Sequence, residues 1–466
     1  MQIPILSGIF ADGSPNFRTS YPKNMIPVPK GTGISEGYLR PGEGIVETGT
    51  GPGVNRGGIN WNGSIYRVMG TKLVEIAQDN TVTEIGDVGS GDRVTFDYGF
   101  TYLAVASGGR LYLYDGTTLT QVTDADLGTV LDVVWVDGYY MTTDGEFLIV
   151  TDLDDPFAVN PLKYGSSEAD PDPVKALLKL RNEVYALNRH TIEVFDNVGS
   201  TGFPFQRIAG AQIQKGTVGT HANCVFMDNI AFLGGGFNEA PSIYMGANGS
   251  AQKIATREIE EILQEYTEVE LATAFLEERV DKAHTFLIVH LPRHTLVFDG
   301  AGSQATSQAV WFTLSSTLVG DGIWNACTCI WAYDRWNVCH PTTAQFGYLD
   351  DTISTHWGET IGWEFGTLIV YNNGQGAIFH DIELVSLTGS TAFGVDPTIW
   401  TQYSNDGVTW SAEKPIRAGK TGERNKRLMW LQQGHMRNMR MQRFRGTSDA
   451  HVAVAALEAR VEPLAF

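Results

Sequence analysis

A unit of two short strands joined at a tight turn recurs about seven times between Tyr66 and Leu349. Each copy reads as a run of alternating β-branched or aromatic residues, a turn, and a second such run. The clearest are Ile65 to Met69 with Lys72 to Ile76, Tyr102 to Ala106 with Arg110 to Tyr114, and Val133 to Val136 with Glu146 to Val150. Weaker copies begin near Ala176, Cys224, Thr285 and Cys329. A hairpin cannot bury its apolar face alone, so a chain that repeats one at a period of roughly 40 residues must stack the copies against one another. That logic predicts an all-β fold, a β-propeller of about six to seven blades. The competing architecture, one β-sandwich or a pair, uses the same strands, but the run of hairpins is too long for a single sandwich. Seven Asp-Gly pairs, among them Asp115-Gly116, Asp137-Gly138, Asp144-Gly145 and Asp299-Gly300, and three Asn-Gly pairs supply the positive φ of tight hairpin turns.

Three segments are expected: an extended arm over 1–60, the propeller over 61–351, and a C-terminal β-sandwich over 352–466. The arm is rich in Gly and Pro, and Pro22, Pro27, Pro29 and Pro41 exclude a long helix, so it should gain order by packing on something else. Within the propeller, 256–280 reads as a helical insertion on the rim. Ile259, Ile262, Leu263 and Tyr266 share a helical face there, and Thr267 to Glu270 forms a capping box that starts a second helix burying Leu271, Ala274 and Phe275. After Asp351 the strands lengthen: Thr367 to Tyr371, Ile378 to Leu387, Thr398 to Tyr403, Arg427 to Gln432, Arg437 to Arg445 and His451 to Val461.

The chain of 466 residues exceeds one ordinary core, and 52 glycines with only 18% charged residues suit a turn-rich β protein. No signal peptide is legible before Phe10, and no apolar stretch reaches the roughly 18 residues of a membrane span, so synthesis and folding in the cytoplasm are expected. Net charge is −20, unevenly spread. Lys414 to Arg445 holds ten Lys or Arg against the single acid Glu423, a net of +9 that leaves −29 for the remainder. An acidic body with one basic strip does not wrap duplex DNA, which demands broad positive surface. The strip, Arg424, Lys426, Arg427, Arg437, Arg440, Arg443 and Arg445, is the candidate interface toward an acidic partner. The alternative is a solvated edge strand protected by its charges.

Catalytic and metal chemistry is not legible. His290-Leu-Pro-Arg-His294 has the spacing of a zinc helix, but Pro292 breaks the helix and the glutamate is missing. Cys327, Cys329 and Cys339 lack knuckle spacing and read as packed cysteines, with Cys224 alone. Asp152, Asp154 and Asp155 in one turn offer carboxylates for calcium, though an isolated acidic turn before a proline, here Pro156, is far more often a solvated loop. Ser404 to Trp410 resembles the aspartate box of sialidases, a turn that packs a Trp under a hairpin. No nucleotide loop, dinucleotide fingerprint or serine elbow is present. No catalytic residue, cofactor or metal site is therefore assigned, and a structural protein is expected.

Ile254 to Thr267, followed by Leu287 to Asp299 with its His-Leu-Pro-Arg-His, resembles the packaged-DNA-stabilisation proteins of short-tailed bacteriophages, the tail hub or nozzle family. Weaker echoes follow in the same order: Gly37 to Arg40, Ile65 to Arg67 with Gly70, Ile85 to Gly89, Gln214 to Gly216, and Pro241 to Tyr244. After Asp350 the likeness shrinks to Asp406-Gly407 and the Lys426 to Trp430 strand. The resemblance implies a virion protein rather than an enzyme: a homo-hexameric ring beneath the portal and its adaptor. Such a ring closes the DNA exit channel, lets double-stranded DNA pass without sequence-specific binding, and carries fibres or tailspikes and a plug or needle. An acidic lumen suits that role because like charge keeps phosphates off the wall. The alternatives are a propeller-type glycan hydrolase and a glycan-binding module of a phage tail.

Overall fold

The computed structural model describes residues 1–11, 16–29 and 37–464. Seven antiparallel sheets follow one another around a ring. Six are built from consecutive strands at 55–87, 95–121, 132–166, 174–207, 216–253 and 275–314, and are numbered here as blades 1 to 6. Blade 7 takes three strands from 327–350 and, as its outermost, the strand Gly44–Thr50, with Leu349 opposite Ile45 and Phe346 opposite Gly49. The innermost strands of successive blades, the first strand of each except for Asn223–Phe226 in blade 5, touch in order and the last returns to the first, so these strands line the axis.

Each blade packs one face on the preceding blade and the other on the next, which is why the second strands read as continuous apolar runs. Leu103–Ser107 is buried at every position. Trp61, Tyr66, Val68 and Leu73 of blade 1 pack on Leu103, Val105 and Tyr112 of blade 2, and each such fully buried aliphatic contributes about 1.5–3 kcal/mol. Polar side chains then fix the spacing between blades. Asp97 accepts the Trp135 N–H at 2.6 Å, Asp132 accepts that of Leu177 at 2.8 Å, and Glu277 accepts that of Cys329 at 2.7 Å. Arg67, fully buried in blade 1, donates to the Thr328 and Asn337 carbonyls of blade 7 at 3.1 and 3.0 Å.

Several sequence expectations are corrected. The described residues of 1–60 are no arm, 12–15 and 30–36 lying outside them: Gln2–Ile3, Met25–Pro29 and Gly37–Pro41 are strands of the sandwich, Gly44–Thr50 closes blade 7, and Asn55–Trp61 opens blade 1. Gln2–Ile3 pairs with Ala453–Pro463, Gly37–Pro41 with the same strand, and Gly44–Thr50 with Gln345–Asp350, partners hundreds of residues away that no local periodicity reveals. The helical expectation over 256–280 overruns. Helix α1 spans Arg257–Gln264 and α2 only Glu268–Leu271, with the Thr267/Glu270 capping box formed, while Phe275–Asp281 is the axial strand of blade 6. Asp299-Gly300 makes no hairpin turn: Asp299 caps helix α3, Gly300–Thr306, by accepting the Gly302 N–H at 3.0 Å. Among the described residues no helix is long and apolar enough to cross a membrane.

The sandwich has one sheet of Met25–Pro29, Gly37–Pro41, Ala453–Pro463, Ala377–Leu387 and Leu428–Leu431, and a second of Gly362–Gly366, Met439–Thr447, Thr398–Ser404 and Lys414–Arg417. Ile3, Ile5, Met25 and Leu39 share its core with Phe365, Phe379, Phe444 and Leu457. The propeller is thus inserted between the first strands of the sandwich and the rest. Lys23 joins the two: it bridges in parallel to Thr313 of blade 6 and antiparallel to Glu364 of the sandwich. One hydrogen-bonded layer therefore runs from blade 6 through residues 22–24 into the second sandwich sheet.

Candidate functional site

That continuous layer is the floor of a cleft of about 750 Å³, whose opposite wall is helix α1 and the Gly8–Ala11/Phe17–Ser20 hairpin. Thr256 and Glu258 meet the hairpin side: Tyr21 Oη is hydrogen-bonded to Thr256 Oγ1, and the Thr19 N–H donates to Glu258 at 3.2 Å. Burial works to raise the Glu258 carboxyl, but its hydrogen bonds outweigh it and hold it below the ordinary range. From the floor, Arg443 reaches Glu364 at 3.4 Å and Gln402 at 2.7 Å and covers the Trp410 ring at 4.8 Å. Arg445 grips Glu413 through two hydrogen bonds of 2.5 and 2.6 Å, which depress the Glu413 carboxyl. Lys23 donates to the Gly320 carbonyl, and burial lowers its ammonium pKa. Sequence reasoning missed Tyr21, Lys23, Glu258 and Glu364 as neighbours, since more than 230 residues separate Tyr21 from Glu258.

The basic strip is not one surface. Arg443 and Arg445 face the cleft. Arg427 forms a two-bond ion pair with Glu383 on the other sheet. Arg424 and Lys426 are exposed in the 418–427 connection, and Arg437 is exposed between His435–Met436 and Met439–Thr447. Arg440 is withdrawn from the interface altogether. It is 1% exposed, lies 4.4 Å from the Phe379 ring and 3.9 Å from that of Tyr403, and donates to the Gln433 carbonyl at 2.7 Å. Burial lowers its guanidinium pKa to about 10. It is a core cation held by cation–π contacts, so charge reversal there cannot leave the sandwich intact.

The weighed metal motifs also resolve into structure. His290 is hydrogen-bonded to Glu277 at 2.7 Å and stacks on Phe275, whereas His294 meets Tyr266 Oη at 2.6 Å across a hairpin turn. Cys327 stands opposite Cys339, both buried, and burial pushes the Cys339 thiol up to about 12. Asp152 pairs with Lys163 at 2.6 Å, and Asp155 accepts the Phe157 N–H at 2.9 Å. Among the described residues no cluster of three or more His, Cys, Asp or Glu is placed to hold a metal. The Ser404–Trp410 box is formed, with Asp406 accepting the Val408 and Thr409 N–H groups at 2.9 and 2.7 Å, but in the sandwich rather than on a blade.

A propeller locked by a shared sheet to a sandwich, with the cleft carboxylates Glu258, Glu364 and Glu413 ion-paired or held by hydrogen-bond donors, defines a two-domain scaffold. The chain belongs to the bacteriophage P22 Gp10 family of phage stabilisation and tail hub proteins: the family's β-propeller model matches residues 1–354 and its β-sandwich model residues 362–462. The tail hub protein gp10 of Salmonella phage P22 is 29% identical over 489 residues, covering 99% of both chains. Among solved structures, the Pan2 WD40 domain of Neurospora crassa is 11% identical with a TM-score of 0.42, covering 66% of this chain and 94% of that one. The N-terminal domain of Nup159 is 9% identical with a TM-score of 0.41, covering 71% and 99%.

Proposed function

We propose that this chain is the tail hub, or nozzle, of a short-tailed phage virion: six copies form a ring below the portal and adaptor that continues and closes the DNA exit channel. The ring retains packaged DNA, anchors fibres or tailspikes, and receives a plug or needle. The observation that carries the reading is end-to-end similarity to a tail hub protein across both domains. The propeller axis supports it in a second way. The axial strands of successive blades touch one another around the ring, and the channel of a single propeller is too narrow for duplex DNA, so in this reading the lumen lies between copies. The protein is made and assembled in the host cytoplasm and acts in the tail.

The hydrolase reading is disfavoured by the cleft's electrostatics. A glycosidase acid needs a carboxyl held protonated near neutrality. Glu258 and Glu413 are both depressed instead, so each is ionised. Particles assembled without this protein test the hub role: they should fill with DNA and then lose it to added nuclease. Normal DNA retention in its absence would overturn the proposal.

A further inference from the structure

Two exposed surfaces at opposite ends of the protomer match one another in charge and in apolar content. The first is a knob on the sandwich, made of the 388–397 and 417–427 connections. Thr421 Oγ1 donates to the Thr391 and Ala392 carbonyls at 2.8 and 3.0 Å, and the Gly422 N–H donates to Gly389 at 3.1 Å, so the two loops hold each other in place. Phe393 projects from the knob 97% exposed, beside an exposed Leu387. Around them stand Lys420, Arg424 and Lys426, whose charged groups make no ion pair among the described residues, whereas neighbouring Arg417 and Arg427 are satisfied by Asp396 and Glu383.

The second surface is on blades 2 and 3. Residues 115–172 carry thirteen Asp or Glu against the single cation Lys163, the steepest acidic bias in the chain. Asp126, Asp137, Asp154 and Asp155 are exposed. Tyr164 Oη donates to the Asp126 carbonyl and Leu153 lies against Gly138, so the 124–126 turn, the 151–164 loop and the Asp137 turn form one surface. Leu162, Leu153 and Phe100 project from it, with Phe100 96% exposed against the Trp135 ring. An acidic rim around exposed apolar side chains complements a basic knob tipped by phenylalanine.

Their placement decides the partner. The sandwich is fastened at blade 6, through Lys23 to Thr313 and through Arg40 to Asp281, and blade 3 lies three blades away around the ring. A two-fold dimer pairs two such surfaces only if both face the same partner; surfaces on different sides of the molecule join copies head to tail, which is the contact that generates cyclic rings. We infer that the basic, Phe393-tipped knob of one copy docks on the acidic, leucine-bearing surface of blades 2 and 3 of the next copy of this chain. This rests on the ring reading above and names the surfaces that would build it.

The test is a charge exchange on the full chain, followed by analytical ultracentrifugation and mass photometry over a concentration series. Arg424→Glu with Lys426→Glu reverses the knob, Asp126→Lys with Asp154→Lys reverses the blade surface, and a third variant carries all four. Each one-sided variant should need about tenfold or more protein to assemble, with unchanged circular dichroism and melting temperature, and the four-fold variant should recover assembly. One-sided variants that assemble like the parent, or a four-fold variant as impaired as they are, overturn these surfaces while leaving the ring standing. A parent that stays monomeric at every concentration overturns these surfaces as a self-sufficient contact, while the ring itself stands or falls on the copy number in the purified tail. Binding of the parent's knob to anionic vesicles, abolished by the knob reversal while assembly is unaffected, would assign the knob to a lipid surface and also overturn the inference.

Discussion

Leu349 lies directly opposite Ile45, so the last strand of the propeller is paired with a strand that the chain made some three hundred residues earlier. The ring is closed by this one antiparallel contact, and its closeness leaves no room for a side chain at Gly347, where an added Cβ would stand 1.9 Å from the Val46 carbonyl oxygen. Gly347→Ala should therefore force the closing strand away and cost about 2–4 kcal/mol, read as a lower midpoint in urea. An unchanged midpoint would show that the closure is not under the tension the packing implies.

Removing residues 1–41 should destabilise the sandwich more than the propeller, because Ile3, Ile5, Met25 and Leu39 are in the sandwich core while blade 7 needs only Gly44–Thr50. The truncated chain should keep protease-resistant propeller fragments and lose those of 362–464. The reverse pattern would mean that the first strands merely decorate the sandwich.

Arg440 and Arg437 are three residues apart and should behave oppositely. Arg440→Glu places an unpaired carboxylate between Phe379 and Tyr403 and should cost roughly 3–5 kcal/mol, whereas Arg437→Glu at an exposed turn should stay within about 0.5 kcal/mol. Equal, small shifts in melting temperature for both would contradict the buried cation.

Asp132 is fully buried at the blade 3 to blade 4 seam, and burial raises its carboxyl to about 7 against its hydrogen bond from Leu177. A carboxyl raised above its unfolded value supplies stability that is complete below the unfolded pKa and is lost as pH rises through 7. Asp132→Asn carries no charge at any pH, so its stability relative to the parent should improve from about pH 5 to about pH 8, by on the order of 2 kcal/mol. A difference that does not vary with pH would show that Asp132 does not titrate in this window.

The isolated protein should bind duplex DNA weakly and with a shallow salt dependence, since its exposed cations are scattered and most of its surface charge is acidic. Nanomolar binding that falls steeply with salt would mean that Arg424, Lys426 or Arg437 grips phosphate.

Hairpins were legible in the sequence because their signals are local: an alternating run, an Asp-Gly or Asn-Gly turn, and another run. All seven hairpin starts fall within the seven blades, but Val133 to Val136 pairs with Tyr139–Thr143 and not with Glu146 to Val150, because the sequence reading skips that intervening strand. The capping box at Thr267 was legible for the same reason. Long-range pairing was not. Lys23 bridges to Thr313 and Glu364 through backbone atoms alone, so its neighbours leave no trace in residue type. Asp299-Gly300 shows the ambiguity of a short signal, since aspartate caps helices as readily as it starts turns. The basic strip misled because period-2 alternation is broken around Arg440, where Met441 and Gln442 are buried beside it. The cleft was illegible: its walls come from the N-terminal hairpin, blade 6, helix α1 and the sandwich.

The central claim is that this scaffold works as a six-membered ring, and the rotational symmetry of the assembled species tests it most directly. Electron images of the purified tail, supported by the mass of the assembly, should show six copies around an open lumen below the adaptor. One or three copies per tail, or a compact assembly without a lumen, would contradict the account.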